Sequence, residues 1–443
     1  MSDEQPLTRD ALIAAYHESG RPRDRWLVGA EFERHLLGPD GMPLPYPGVP
    51  GVRWLMDELV PNGWTPYLEG DHPIALTRHQ PGALAPASVT LEPGGQFELS
   101  GAPWKTVGEV VDEARAFGRE VDAALDGTGF RQVALGFTPY AKIGDVGWVP
   151  KGRYSVMREY LAETGSLSHH MMKGTAAVQA TYDFGDERDC ARKVRLAILL
   201  GPLTTGTFAN SPYAEGRPSG YTSWRGQIWT ATDPARTGFP EAAERFSFER
   251  WVDWLLSVPM MFIKGPDGGW QFARGRTFAD WMASTDGHRP DAAAWELHLT
   301  SVFPEVRIKR AIEIRGADCV PLPLAAGFAA LWKGLLYDDT ALDRATEVAQ
   351  RFASFGTQRE RFEVACRHGL AGRIGDRTLA QWAEEVLGHA DAGLAAIDPG
   401  DRVHLGALRA QIATGKSPGQ QLLEALGDRP DPADLAERAP MLG

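Results

Sequence analysis

VTLEPGGQFELSG, residues 89–101, sets two short runs of alternating apolar and polar residues on either side of Pro93-Gly94-Gly95. Runs of this kind flanking turn formers predict two strands of one hairpin, "ASVTLE" and "QFELSG". Side chains two apart share a face of a strand. One face of the second strand is then apolar, as a core requires, while the other carries Gln96 and Glu98, with Glu92 at the turn. A sheet with one solvated face also alternates apolar and charged residues, so this hairpin alone decides nothing about function.

Three further segments repeat the pattern. RWLVGAEFERHLL (25–37) places Glu31 and Glu33 on one face against Ala30 and Phe32 on the other. AAVQATYDF (176–184) aligns Gln179, Thr181 and Asp183, and VRIKRAIEIRG (306–316) sets Glu313 and Arg315 against Ile312 and Ile314. If the four belong to one sheet, several carboxylates share a surface, and they cannot all stay ionised without a compensating cation. Clustered hard oxygen donors suit Mg²⁺ or Mn²⁺, ions that commonly bridge protein carboxylates to substrate phosphates.

Between these strands the sequence reads as helix at 8–19, 51–60, 105–127 and 187–210, with a hairpin near 64–77 and an apolar strand at 131–139. VGWVPKGRY (146–154) reads as irregular, and 211–238 reads as a loop too long to be a mere connector. From 322 onward the text is mostly helical. No repeat or linker divides the chain, which predicts a catalytic domain over 1–340 and a helical C-terminal part, 341–443, packed on the same domain.

Composition bounds the function. The 443 residues are 43% hydrophobic and 23% charged, ordinary globular values, and the net charge of −12 without any run of Lys or Arg argues against nucleic acid as a partner. Cys190, Cys319 and Cys366 are odd in number and widely spaced, which predicts neither a disulfide framework nor a structural zinc site and fits a reducing cytoplasm. The N-terminal text lacks the apolar core of a signal peptide and no stretch is long enough to span a membrane, so neither secretion nor a membrane anchor is predicted.

The cationic half of a phosphate or carboxylate site is present too. Lys151 and Arg153 lie in PKGRY, and Arg225, Trp229, Asp233 and Arg236 in SWRGQIWTATDPARTG, where arginine forks match carboxylates and phosphates. P-loop, Rossmann and GxSxG signatures are absent. His169 and His170 are adjacent and point apart, Cys190 reads as a core or surface thiol, and the Met pairs 171–172 and 260–261 read as core filler.

The motifs LEPGGQFELSG, PKGRY, FANSPYAEGRPSG, IWTATDPARTG, FPEVRIKRAIEIRGAD and WKGLLYDD together resemble the glutamate–cysteine ligases of plant and proteobacterial type, over about residues 27–427. The resemblance implies an α+β fold of the glutamine synthetase-like carboxylate–amine ligases, a curved antiparallel β-sheet funnel surrounded by helices. It implies ATP, Mg²⁺ (Mn²⁺ possible), L-glutamate and L-cysteine as cofactor and substrates, and a monomer or homodimer. By position Glu31, Glu33, Glu92, Gln96, Glu98 and Glu313 would be metal ligands or their neighbours, and Gln179, Arg315, Asp233 and Arg236 would bind ATP. Lys151, Arg153, Arg225, Trp229, Met172 and Met261 would meet the amino-acid substrates, with Arg225, Arg315 and Glu98 acting in catalysis. Against plant-type text the chain departs at Gly174, Ala177, Thr181 and Met261, which removes polar groups expected near the acceptor and leaves a γ-glutamyl ligase for another amine as an alternative. The text around Thr175–Gln179 is similar to bacterial ligases that feed ergothioneine synthesis, so the product could serve glutathione or ergothioneine. A two-carboxylate glycosidase and a catalytically inactive homologue are the rivals of other classes.

Overall fold

Among the described residues nine strands form one antiparallel sheet: β1 (Val28–Leu37), β2 (Thr65–Glu69), β3 (His72–Arg78), β4 (Ala87–Leu91), β5 (Phe97–Ser100), β6 (Arg131–Val133), β7 (Ala177–Tyr182), β8 (Val306–Ile308) and β9 (Ile312–Asp318). The structure is a computed structural model and describes residues 7–265, 268–285 and 289–443. The strand order is β8-β9-β7-β1-β5-β4-β3-β2, with β6 pairing the end of β1. Residues 1–6, 266–267 and 286–288, within the unit predicted over 1–340, lie outside the described residues.

Alternation along each strand gives the sheet its two faces. Ala30, Phe32, Val89, Leu91, Phe97, Leu99, Val178, Ala180, Ile312 and Ile314 are all buried. The helix Val107–Leu125 backs this side, with the Phe117 ring stacked on Phe97 at 6.0 Å between centroids. So does the helix Leu322–Tyr337, where Tyr182 Oη donates to the Ala329 carbonyl at 2.9 Å. Every residue of that helix except Pro323 is buried, as an almost wholly apolar helix requires. The helices Asp339–Ala353, Leu379–Ile397 and Leu405–Ala413 cover its outer side. At the closest crossing a Cβ on Gly334 would stand 2.3 Å from the Ala390 carbonyl oxygen, and one on Gly393 would stand 2.1 Å from that of Gly334. Only glycine permits this approach. One apolar cluster runs from Leu12 to Met441. The fold is α+β.

Four readings are corrected. Residues 306–316 are not one strand but the hairpin β8–β9, turning at Lys309–Ala311. The strand foreseen over 131–139 is regular only over Arg131–Val133. The irregular 146–154 ends where the helix Gly152–Thr164 begins, and the long segment 211–238 contains the helix Trp224–Thr230, whose N-cap Ser223 accepts from the Gly226 amide. Tertiary packing overrides weak local propensity in both.

Candidate active site

Register decides what the polar face becomes. Glu31 stands opposite Ser100 on β5 and Gln179 on β7, while Glu33 stands opposite Glu98, which in turn faces Thr90 on β4. Glu313 stands opposite Thr181 and Arg307. Directly opposed residues share a face, so the acidic positions of separate segments fall on one surface. The pairing of β7 and β9 then slips between Ile314 and Ala317. This bulge leaves Arg315 and Gly316 unpaired and aims Arg315 over Gln179, whose Oε1 accepts from the guanidinium. The bulge is fastened from behind, as Arg225 Nη2 donates to the Arg315 carbonyl and Thr205 Oγ1 to that of Gly316, each at 3.0 Å.

The face floors a cavity of about 310 Å³. Of the residues singled out in the sequence, Glu31, Glu33, Glu92, Glu98, Lys151, Arg153, Met172, Gln179, Arg225, Trp229 and Arg315 line it. Lys309, Arg307, Thr90, Ser100, Thr300, Phe262 and Phe303 line it as well and were missed. Arg307 and Lys309 alternate in step with Glu313, a signal that the single-strand reading of 306–316 hid. Thr300 and Phe303 arrive from a remote segment and carry no local signal.

The carboxylates are held differently. Glu98 accepts from Thr90 Oγ1 and Ser100 Oγ, both at 2.8 Å, and Glu33 accepts from the Ala177 amide at 2.7 Å and Gln179 Nε2 at 3.0 Å. Poor solvation, with Glu98 and Glu313 nearby, pushes Glu31 up to about 8. Poor solvation and neighbouring carboxylates raise Glu33 and Glu92 too. Burial brings Lys151, beside Arg153, and Lys309, beside Arg307, down to about 8. Among the described residues no cation lies within ion-pair distance of Glu31, Glu33, Glu92 or Glu98, although Lys and Arg side chains line the same cavity, and Trp229 Nε1 and Arg153 Nε are buried donors without acceptors. Such orphaned groups point to ligands that complete them.

Five predicted residues are not brought in. Gln96 Oε1 accepts from the Gly94 amide, and its Nε2 donates to the Thr175 carbonyl at 2.8 Å and that of Met172 at 3.3 Å, so it fastens the β4–β5 turn instead of facing the cavity. Glu313 lies behind the lining, engaged at 2.8 Å by both Arg307 Nε and Nη2 and at 2.5 Å by Arg315. Burial opposes its ionisation, yet Arg307, Arg315 and Lys309 hold it well below the usual carboxylate range. Asp233 and Arg236 form a buried pair at 2.6 Å, and Arg236 also donates to Tyr160 Oη and to the Ser301 and Pro259 carbonyls, leaving nothing for a nucleotide. Met261 is buried outside the cavity, where Phe262 takes the lining position. Gly174, Ala177 and Thr181 also lie off the lining. A side chain at 174 would meet the Phe137 ring 2.4 Å from its Cβ, so these departures do not strip polar groups from the cavity wall.

Asp318 was not foreseen. Wholly buried, it accepts from the Asn210 amide at 2.8 Å, Ser211 Oγ at 2.6 Å and Ser223 Oγ at 2.8 Å, and lies 3.9 Å from Arg225 Nη1. It ties the start of the Trp224–Thr230 helix to β9 and orients Arg225.

Comparison with known proteins adds an independent observation. The sequence profile described as Glutamate-cysteine ligase family 2 matches residues 27–437. The chain is 36% identical over 427 residues to a chloroplastic glutamate–cysteine ligase of Brassica juncea, covering 95% of this chain and 81% of that one. It is 35% identical over 427 residues to the Arabidopsis thaliana counterpart, covering 95% and 80%. In fold it is similar to the crystal structure of a glutamate–cysteine ligase from Francisella tularensis in complex with AMP, with a TM-score of 0.55 at 12% identity, covering 94% of this chain and 87% of that one.

Proposed function

The chain belongs to glutamate-cysteine ligase family 2, and on that premise we propose that the cavity joins the γ-carboxyl of L-glutamate to the amine of L-cysteine at the expense of ATP. The observation that carries this reading is the convergence of four carboxylates with Lys151, Arg153, Arg225, Lys309 and Arg315 in one cavity on one sheet face.

The reaction has two steps. The γ-carboxylate of glutamate attacks the γ-phosphorus of ATP and ADP departs, giving γ-glutamyl phosphate. The cysteine amine then attacks the acyl carbon, phosphate leaves, and the nitrogen loses a proton. Arg315, braced by Gln179 and Glu313, and Lys309 stabilise the charge spread over the transferring phosphoryl group. Arg225, oriented by Asp318, does the same from the opposite side of the bulge. Lys151 and Arg153 take the carboxylates of the amino-acid substrates, while Trp229, Met172 and Phe262 give the acceptor side a soft, apolar wall suited to a thiol.

Glu31, Glu33, Glu92 and Glu98 fit a divalent cation by donor chemistry, since they are hard oxygens without an ion-pair partner among the described residues. Among the described residues no three acidic, His or Cys side chains converge tightly enough to enclose an ion by themselves. This suits Mg²⁺, which keeps waters and substrate phosphates as ligands instead of a full protein cage. When bound, such an ion screens the repulsion between carboxylate and triphosphate. Mn²⁺ can replace it on the same ligands. Gln96, Asp233, Arg236 and Met261 have no part in this reading.

The three cysteines are free and buried, which supports a reducing compartment such as the cytoplasm, and no described helix is long and apolar enough to cross a membrane. The product serves the synthesis of glutathione or ergothioneine, and the enzyme acts as a monomer or homodimer. ADP release measured with glutamate and a panel of amines tests the assignment. Cysteine is expected to be the best acceptor, with turnover abolished by EDTA and restored by Mg²⁺. Cysteine performing no better than alanine would contradict it.

A further inference from the structure

The helix Glu187–Thr207 borders a second cavity of about 760 Å³ that shares no lining residue with the catalytic one. Arg188, Arg192, Arg195 and Leu199 follow one another at spacings of four, three and four, a single stripe on this helix. Arg245 and Phe246 form the facing wall, and Arg361 closes the groove. Its ionisable lining is five arginines against Glu244 alone, in a chain of net charge −12.

One of the five pairs with the protein's own carboxylates. Arg192 bonds Asp339 at 3.0 Å and Asp343 at 2.7 Å, but among the described residues no carboxylate lies within ion-pair distance of Arg188, Arg195 or Arg245. Arg361 is only 3% exposed. Its Nη1 donates to the Ala353, Gly356 and Phe355 carbonyls at 2.9, 2.5 and 3.4 Å and its Nη2 to Gln358 Oε1 at 2.6 Å, while its Nε has no acceptor. A guanidinium buried among neutral acceptors still has its Nε free to meet an anion in the groove. Ile198, Leu199 and Phe246 supply an apolar floor beside Arg361 and the exposed Arg188, Arg195 and Arg245. Arginine forks above an apolar floor match a molecule with two or more carboxylate or phosphate groups on an apolar body.

We propose that this groove is a second ligand site, which takes a small organic polyanion and lies apart from the catalytic cavity. The shared chemistry has two sources, a nucleotide or an apolar polycarboxylate. Calorimetric titration in EDTA buffer separates them with ADP and benzene-1,3,5-tricarboxylate as probes and inorganic phosphate as the charge-only control. Arg195 and Arg245 are exposed, so the double variants Arg195→Glu/Arg245→Glu and Arg195→Gln/Arg245→Gln keep the fold and the basal glutamate-dependent ADP release. One organic probe is expected to bind the wild type, with at least about tenfold weaker binding in both variants, and the probe that binds identifies the source. Equal binding by variants and wild type, binding by neither probe, or phosphate binding as tightly as the organic probes would overturn the proposal.

Discussion

Glu98 sits between two hydroxyls, Thr90 on one carboxylate oxygen and Ser100 on the other, and faces Glu33 across the β1–β5 pairing. Both of its oxygens are oriented by the sheet itself. Glu98→Gln keeps the shape but replaces an oxygen donor by an amide nitrogen, so turnover is expected to fall at least about 10²-fold. The melting temperature and circular dichroism should stay near those of wild type. Asp318 acts at one remove, through Arg225. Asp318→Asn turns an amide toward groups that already donate, the Asn210 amide and the two serine hydroxyls, and loosens the guanidinium over the bulge. Steady-state kinetics should then show kcat lowered roughly 10-fold or more with KM for ATP changed far less, because Arg225 is needed most as charge moves. An unchanged kcat would remove Asp318 from the positioning of Arg225.

At the scale of the element, the β4–β5 turn carries Glu92 to the cavity and depends on glycine for closeness. A Cβ on Gly94 would stand 2.3 Å from the Lys173 carbonyl oxygen and 2.8 Å from its Cα, backbone that cannot swing aside. Gly94→Ala should therefore displace the turn, costing about 1–3 kcal/mol in urea unfolding and lowering activity with it. Loss of neither would show that the turn has slack. Strands were legible where a clean alternation ran for several residues, which is why Glu31, Glu33, Glu98, Gln179 and Arg315 could be placed on one face from the text. The β8–β9 hairpin was not, because its turn at Lys309–Ala311 contains no Gly, Pro, Asn or Asp to announce it, and Arg307 and Lys309 were lost with it. Nor does any local pattern mark the slip at Arg315–Gly316, since a bulge is set by what packs behind it. Arg236 and Asp233 sit in motif text yet turn inward, a distinction that depends on the distant carbonyls of Pro259 and Ser301.

Across the whole molecule, the C-terminal segment is joined to the helices that back the sheet by a buried polar knot as well as by the apolar cluster. Asp401 accepts from the Val107 amide at the start of the Val107–Leu125 helix and from Lys333 Nζ at 2.5 Å, while Asp398 takes the same ammonium at 2.7 Å. Asp401→Ala leaves Lys333 half-compensated and takes the acceptor from the Val107 amide in the first turn of a helix that Thr106 still caps. Stability is expected to drop by about 3–5 kcal/mol by denaturant unfolding, without any change in the catalytic residues. Contacts of this sort join residues nearly 300 positions apart and were invisible in the sequence, although the helices that carry Val107 and Lys333 were not. The account rests on acidic side chains from β1, β5 and the β4–β5 turn meeting where a divalent ion brings nucleotide to glutamate. Anomalous diffraction from crystals soaked with Mn²⁺ and a non-hydrolysable ATP analogue tests that directly. A manganese peak coordinated by oxygens of Glu31, Glu33 or Glu98 and by the nucleotide phosphates is predicted; a peak elsewhere, with these carboxylates left uncoordinated, would contradict it.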